Sequence, residues 1–170
     1  GGDHPTSGGV EEDTYSRSLA RCLQQTGVVP ASVSYVETDG SAVPERDRVE
    51  LYALEAYFGD RKHRDAADAI ALGATSPICG HTGAAHGITT LTKTALCLYH
   101  HRLPPLPGFK CLPDALTNSR AFHLPHRSQP WYRDRQDGPR VACVATVTVD
   151  GGCSHVLLED APVDKPATVT

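Results

Sequence analysis

The chain lacks the features that mark nucleic-acid-binding and membrane-spanning proteins. Its 16 lysine and arginine residues are outnumbered by 20 aspartate and glutamate residues, which gives a net charge of −4 at pH 7. Such a balance provides no basic surface for nucleic acid or for an anionic membrane. No apolar run reaches the ~18 residues that a membrane-spanning helix requires. These absences leave a globular domain that is long enough to bury a core.

Methionine is absent, and the six cysteines form no C-x-x-C pair. The chain opens with Gly1-Gly2-Asp3-His4-Pro5, without the basic region and apolar stretch of a signal peptide. Because the chain has no initiator methionine, we expect the true start of the protein to lie elsewhere. Three cysteines lie in apolar segments, where this residue behaves as a small hydrophobic side chain: Cys22, Cys97 and Cys143. A reduced, cytoplasmic protein is the expected setting.

The residues from Ala69 to His101 predict a strand, a tight turn and a helix in succession. Ala69 to Gly73 is apolar throughout and ends at a glycine, as a short buried strand does. Thr82 is predicted to be the N-cap of a helix over residues 84 to 101. His81 is thereby placed beside a helix N-terminus, where backbone N–H groups favour developing negative charge. The spacing alone favours the alternative, in which His81 is a turn residue that caps the helix. The predicted buried face of this helix consists of Ile88, Leu91, Ala95 and Leu98.

The flanking residues complete an α/β pattern. Their spacing predicts helices at 14–26 (N-capped by Asp13) and 44–58, and strands at 32–37, 140–149 and 154–159. The proline-rich residues 102 to 130 are predicted to form a long irregular loop. The order βαβα followed by a closing β-hairpin predicts a layered α/β domain over residues 1 to 160. Residues 161 to 170 are predicted to be a linker or tail.

Three motifs, taken in order, resemble those of the β-ketoacyl synthases, the condensing enzymes of fatty acid and polyketide assembly. Glu37-Thr38-Asp39-Gly40-Ser41, followed by Asp47 and Glu50, is similar to the family's Glu-Ala-His-Gly-Thr-Gly-Thr segment and its later acidic residues. Gly80-His81-Thr82 resembles the family's Gly-His-Thr motif. Residues 138 to 159 resemble the closing hairpin of the same fold.

The resemblance implies the C-terminal half of a thiolase-like fold, in which two similar halves pack together. Residues 96–109 and 130–135 are similar to the ketosynthase modules of polyunsaturated fatty acid synthases and related glycolipid synthases. The family's nucleophilic cysteine lies in the other half, and no cysteine here has its Ala-Cys-Ser context. The implied partners are the N-terminal half, a second ketosynthase in a dimer and an acyl carrier protein. Because the carrier's phosphopantetheine holds the substrates, no cofactor or metal of the chain's own is expected.

The family's chemistry assigns roles to particular positions. A condensing enzyme acylates its cysteine, decarboxylates a malonyl group on the carrier protein and joins the resulting carbanion to the acyl group. Two histidines of the second half stabilise the enolate charge as preorganised donors. His81 matches the second of them, whereas the first falls on Asp39, whose carboxylate offers no N–H. Ser76 stands where the family usually has a basic residue, and Val149 where a phenylalanine usually gates the nucleophile.

These departures leave three functions open. The first is a diverged active enzyme, in which Asp39→His should raise activity by restoring a donor. The second is a non-catalytic partner like the chain-length factor, which pairs with an active ketosynthase and shapes its acyl tunnel. Asp39 and Ser76 together favour this second function. The third is a stand-alone thiolase-like binding module.

The other polar residues are interpreted as structural. Scaffold roles, in which a carboxylate pairs with turn N–H groups or with a basic residue, are predicted for Glu37, Asp47 and Glu50. His155 is flanked by strand residues and is predicted to be a packed or hydrogen-bonded core residue. His123 and His126, with Cys111 nearby, are candidate metal ligands, but their separation is irregular and the segment is a proline-rich loop, so no metal site is expected there.

Overall fold

The structure of the chain is a computed structural model that describes residues 12–59, 69–108, 116, 119–148 and 150–160. Cys111, Val149 and the predicted linker or tail lie outside the described residues. The first elements are α1 (Glu12–Thr26), β1 (Val33–Thr38), α2 (Pro44–Phe58), β2 (Ile70–Ala74), α3 (Ser76–Cys79) and α4 (His86–His100). They are followed by β3 (Arg102–Leu103), β4 (Phe122–His123), β5 (Gln129–Pro130), β6 (Val141–Val147) and β7 (Cys153–Glu159). None of the helices in this part of the chain has the length and hydropathy to cross a membrane.

The strand β1 is the centre of a mixed, mostly parallel sheet. It pairs in parallel with β2 on one side and with β6 on the other. β4 adds in parallel to β2, and β7 adds antiparallel to β6. Within the described residues this gives a 5-stranded sheet in the order β4-β2-β1-β6-β7. The layered α/β fold with a closing hairpin, predicted from the sequence, is confirmed.

The described residues of the segment predicted to form one irregular loop include three short strands. β3 and β5 pair antiparallel in a small separate sheet, while β4 joins the edge of the main sheet. Each of these strands is two residues long. Because a period of two needs several residues to become visible, such strands leave no pattern in the sequence.

Helices cover both faces of the main sheet. Alternate residues of a strand point to opposite faces. On β1, Val36 therefore packs in an apolar cluster with residues of α1 and α2, among them Leu19 and Leu54. Tyr35 points to the other face, where it joins a second cluster with Cys97 and Leu98 of α4 and with Trp131. With both faces covered, the ends of the parallel strands remain as the place where a site can form.

The buried face of α4 differs from the predicted one. Ile88 is 62% exposed, and the buried residues of the helix are His86, Thr90, Thr94, Cys97 and Leu98. The threonine hydroxyls of this face donate to carbonyl oxygens of the preceding turn, which satisfies them without water. Apolar spacing alone therefore selected the wrong face, and of the predicted set only Leu98 is buried.

The predicted helix caps are wrong in two places. The Thr82 side chain makes no capping hydrogen bond, and its hydroxyl lies 3.4 Å from that of Thr89. A 3₁₀ turn at Gly83–Ala85 separates Thr82 from α4, and Gly83 has a φ of 58°. Because this turn with its left-handed first residue comes between them, Thr82 is not the N-cap residue of α4. Asp13 lies inside α1, not before it.

Two of the three cysteines predicted to be hydrophobic are fully enclosed. Cys97 and Cys143 are buried free thiols, and Cys22 is partly buried. Burial raises the pKa of Cys97 to about 11 and that of Cys143 well above its usual value. Since a thiol must ionise to act as a nucleophile, these two side chains serve packing.

His155 is a packed residue of the α1–β7 contact, as predicted. Its ring meets the Tyr15 ring edge to face with the centroids 4.5 Å apart, and its Nδ1 lies 2.9 Å from the Ser18 hydroxyl oxygen. Burial lowers the pKa of His155 to about 4, so the ring is neutral at physiological pH.

The buried His155 should make the domain less stable in mild acid. Between pH 6.5 and about 4, the unfolded chain binds a proton at this residue that the folded chain excludes. The contribution of this residue to the free energy of unfolding is therefore fully present above pH 6.5. It falls as the pH drops below that value, by up to about 1.4 kcal/mol per pH unit. His155→Phe should flatten this slope. The full-length protein is unfolded in denaturant at several pH values and labelled by pulsed hydrogen exchange. The denaturant midpoint is then read from the peptides that cover α1 and β7. An unchanged slope would contradict the prediction.

Candidate functional site

The two motif segments meet at the carboxyl ends of the neighbouring parallel strands β1 and β2. Asp39 and Gly40 follow β1, while α3 and His81 follow β2. Gly40 has a φ of +53°, and a Cβ added to it would lie 2.7 Å from the Cβ of Ala74. Glycine alone combines this left-handed backbone with so close an approach. The turn after β1 thereby lies against the segment that carries His81.

The ring of His81 is held by the backbone that follows it. The N–H of Gly83 donates to the Nδ1 of His81 over 3.2 Å. An imidazole nitrogen that accepts a hydrogen bond carries no proton, so the neutral ring bears its proton on Nε2. The residue is exposed in this chain. His81 is thus prepared to donate a hydrogen bond from Nε2.

A second imidazole, that of His86, lies beside His81. The two rings are stacked, with their centroids 4.3 Å apart and their planes at 14°. His86 is 3% exposed, and its Nε2 donates to the carbonyl oxygen of Asp39 over 2.9 Å. Its Nδ1 is buried without a hydrogen-bond partner in the part of the chain that the structure describes. The sequence motifs assign no role to His86, although a histidine among glycines and alanines just after Gly-His-Thr is a visible signal.

The carboxylate of Asp39 is buried among groups that stabilise its negative charge. The side chain is 3% exposed, and its Oδ1 accepts from the backbone N–H of Val147 over 3.0 Å. The Nε2 of His86 is 3.6 Å from Oδ1, and a guanidinium nitrogen of Arg46 is 3.9 Å from Oδ2. The hydroxyl of Ser76 lies 3.5 Å from the Asp39 carbonyl oxygen. The residue at the family's usual basic position therefore contacts the same turn.

Glu50, on α2, holds the turn after β1. Its carboxylate accepts from the N–H of Asp39 over 3.0 Å and from the N–H of Gly40 over 3.3 Å. The hydroxyl of Tyr15 donates to the same carboxylate over 2.9 Å. Burial raises the pKa of Glu50 to about 7, although these hydrogen bonds act in the opposite direction. The predicted pairing with turn N–H groups is confirmed.

Replacing Glu50 by alanine should loosen this turn, because a buried hydroxyl and two backbone N–H groups would lose their acceptor. An unsatisfied buried group costs about 1–3 kcal/mol, so we expect the local opening free energy to fall by roughly 3 kcal/mol or more. Hydrogen exchange of the turn amides in the full-length protein measures the change. Asp47→Ala is the matched control, since Asp47 lies on the same helix and accepts from the Ser41 hydroxyl over 2.7 Å. Equal exchange in the two variants would contradict the role of Glu50.

Glu37, near the end of β1, and Lys93, on α4, form an ion pair. The Nζ of Lys93 lies 3.0 Å and 2.8 Å from the two carboxylate oxygens of Glu37, which is fully buried. The hydroxyls of Tyr35 and Thr75 donate to the same carboxylate. Lys93 also donates to the carbonyl oxygen of Ala74 over 3.0 Å. The network ties the ends of β1 and β2 to α4, and it confirms the predicted pairing of Glu37 with a basic residue.

Asp39, His81 and His86 each offer a possible metal-ligand atom, and these atoms lie within 4.8 Å of one another. An imidazole binds a metal through a lone pair in the ring plane. Two parallel stacked rings share no plane, so one ring would have to turn before both could bind the same ion. Within the described residues, His123 and His126 belong to no such group of three. The expectation that the chain holds no metal stays a prediction.

Fold and site together define a class of protein: an α/β half-domain of the thiolase-like type, with a histidine at the ends of its central parallel strands. The sequence model described as "Beta-ketoacyl synthase, C-terminal domain" matches residues 1–110. The chain therefore belongs to the β-ketoacyl synthase family, of which it is a C-terminal domain.

Its relatives are polyketide synthases. The chain is 32% identical over 167 residues to polyketide synthase ThaG of Burkholderia thailandensis, an alignment that covers 94% of this chain and 3% of that protein. With the highly reducing polyketide synthase azaB of Aspergillus niger it shares 30% identity over 170 residues, which cover 99% of this chain and 7% of the relative. The ketosynthase from module 6 of the bacillaene synthase of Bacillus subtilis superposes with a TM-score of 0.83 at 25% identity. That superposition covers 95% of this chain and 29% of the solved ketosynthase.

Proposed function

We propose that this chain is the histidine-bearing half of an active β-ketoacyl synthase, which condenses an acyl thioester with a malonyl group on a carrier protein. The observation that carries the proposal is the fixed tautomer of His81, since the N–H of Gly83 on Nδ1 leaves Nε2–H to donate. A preorganised donor of this kind stabilises the negative charge of an enolate. Relatives named as polyketide synthases support the setting.

The proposed reaction starts with an acyl group on a cysteine of the other half. The bond between the malonyl carboxylate and its methylene carbon breaks, CO₂ leaves, and the electron pair forms a thioester enolate. His81 donates its Nε2–H to the enolate oxygen. The enolate carbon then attacks the acyl carbonyl, and the cysteine leaves as a thiolate. The products are CO₂, a β-ketoacyl thioester on the carrier protein and the free cysteine.

We expect the chain to act with the N-terminal half of the ketosynthase, within a dimer and in the cytoplasm. Exposed apolar side chains on α4 support a packed partner: Ile88 at 62%, Leu96 at 52% and Tyr99 at 80% exposure. An exposed apolar surface of this kind is typical of an interface. The substrates would arrive on the phosphopantetheine of an acyl carrier protein, so the chain needs no cofactor of its own.

A non-catalytic partner like the chain-length factor is the second candidate. It is favoured by the buried carboxylate of Asp39, which stands where the family places a donor imidazole. A carboxylate so close to an enolate opposes its formation. In such a protein the site would shape the acyl tunnel of a separate active ketosynthase.

The two candidates differ in what the full-length protein does without any other ketosynthase. Given an acetyl thioester and a malonyl-loaded carrier protein, an active enzyme releases CO₂ in step with the β-ketoacyl product. A chain-length-factor-like protein releases none until an active ketosynthase is added. The residue at the nucleophile position of the full-length sequence also distinguishes the two candidates. A cysteine at the nucleophile position supports the proposal, whereas Gln, Ser or Ala there contradicts it.

A further inference from the structure

We propose that His86 and Asp39 form a support for His81, in which the buried ring of His86 fixes the plane of the His81 ring and Asp39 fixes His86. The inference rests on the proposed function. It makes His86 a positioning residue that acts on the reaction through His81. The exposed member of the stacked pair is His81, and the buried member is His86.

The stacking supplies a restraint that the backbone contact cannot. The N–H of Gly83 holds one nitrogen of His81 but leaves the ring free to tilt about that bond. The His86 ring, 4.3 Å away at an interplanar angle of 14°, limits that tilt. Donors of an oxyanion site work because they are held in place before charge develops. A fixed plane for His81 therefore serves the proposed role of its Nε2–H.

Asp39 holds the supporting ring in two ways. Its carbonyl oxygen accepts from the Nε2 of His86 over 2.9 Å, and its Oδ1 lies 3.6 Å from the same nitrogen. Both side chains are almost fully buried, at 4% and 3% exposure. Little water competes for these contacts, which strengthens them. The backbone N–H of Val147 and the guanidinium of Arg46 also offset the charge of Asp39, which would otherwise oppose an enolate nearby.

The unpartnered Nδ1 of His86 argues that this histidine has a function. A buried nitrogen without a hydrogen-bond partner within the described residues lowers stability. An apolar side chain at the same position would avoid that loss. Groups of this kind are uncommon in folded proteins, and a catalytic role is one of their recognised explanations. The resemblance places an imidazole at position 39, and His86 supplies one directly beside it.

The kinetic test compares two substitutions of His86 in the full-length protein. His86→Ala removes the ring and should lower kcat for condensation by roughly 10–100-fold, because a misplaced group can cost that much. KM for the malonyl-loaded carrier protein and the rate of nucleophile acylation should stay within about twofold of the wild type. His86→Phe keeps a flat ring and should recover a large part of kcat. Thr94→Ala is the control, since Thr94 is buried on the same helix and donates to a helix carbonyl.

Two kinetic results would overturn the proposal. Both His86 variants could behave like Thr94→Ala, or condensation and acylation could fall together with the melting temperature. A wild-type protein that releases no CO₂ contradicts the proposed function instead. In that case the support of His81 by His86 is still tested by the orientation of the His81 ring in crystal structures.

A second kinetic test moves the imidazole from position 86 to position 39. Asp39→His alone should lower the rate, because the new ring must enter a buried space beside His86 and the N–H of Val147 loses its acceptor. The structure thus reverses the result expected from the sequence. Asp39→His combined with His86→Ala frees that space and should be more active than either single variant. A double variant no better than the worse single variant contradicts a shared role of the two positions.

A structural readout is independent of activity. Crystal structures of the full-length protein and of its His86→Ala variant should show one His81 ring orientation in the first. The variant should show a turned ring or more than one orientation. An unchanged, single orientation of His81 in the variant would overturn the proposed support, whether or not the protein is an enzyme.

Discussion

Replacing His81 by alanine in the full-length protein is expected to lower the condensation rate by about 10²–10³-fold, the usual effect of losing one oxyanion donor. The reason is the fixed tautomer, in which the N–H of Gly83 occupies Nδ1 and leaves Nε2–H to donate. Without the ring, the enolate oxygen has no preorganised partner from this segment. Product formation under single-turnover conditions, with the cysteine already acylated, measures the effect on the condensation step.

The control for this substitution is His100→Ala. His100 is an exposed histidine at the far end of α4, so its loss should leave the rate within about twofold. Acylation of the nucleophile should be similar in both variants and in the wild type. A His81→Ala protein that condenses as fast as the control would contradict the assigned donor.

Replacing Lys93 by methionine is expected to cause the largest loss of stability, about 3–5 kcal/mol. The substitution leaves the fully buried carboxylate of Glu37 without its cation, which lies 2.8 Å away in the intact chain. The tie between α4 and the ends of β1 and β2 is lost as well. Hydrogen exchange of the β1 and β2 amides in the full-length protein, read by mass spectrometry, measures the opening free energy.

The double variant Glu37→Gln with Lys93→Met tests the cause of that loss. A neutral glutamine removes the uncompensated charge. Its single amide oxygen accepts from the hydroxyl of Tyr35 or of Thr75, and its NH₂ group can donate to the other hydroxyl. We therefore expect the double variant to be more stable than Lys93→Met alone. If both variants lose the same amount, the buried charge is not the source of the instability.

The sequence predicts the elements well where local signals are strong. α2 begins at Pro44 and ends at Phe58, as predicted, because proline is suited to the first turn and Gly59 follows the last. The α4 helix was placed correctly, but its buried face was not. Its core contacts are made by threonines whose hydroxyls bond to the helix itself, and apolar spacing does not register such residues.

The site was predicted only in part, because its contacts join residues far apart in the chain. His81 and Asp39 were identified from motifs, which are local. The partners of the motif residues were not identified, because they lie far away in the sequence. Lys93 lies 56 positions from Glu37, and His86 lies 47 positions from Asp39. These pairs form only after β1, β2 and α4 come together. A local pattern can draw attention to His86, which follows the Gly-His-Thr motif, but it cannot reveal the pairing with Asp39.

The proposed condensation is tested by the mass of the carrier protein after one turnover of the full-length protein. The acylated protein is mixed with malonyl-loaded carrier protein, and the acyl group on the carrier is identified by mass spectrometry. We predict a β-ketoacyl group, longer than the starting acyl group by the two carbon atoms that remain of the malonyl group, in the wild type and very little of it in His81→Ala. If the carrier protein still bears malonyl after incubation with the wild-type synthase, and the synthase keeps its acyl group, the chain is not part of an active condensing enzyme.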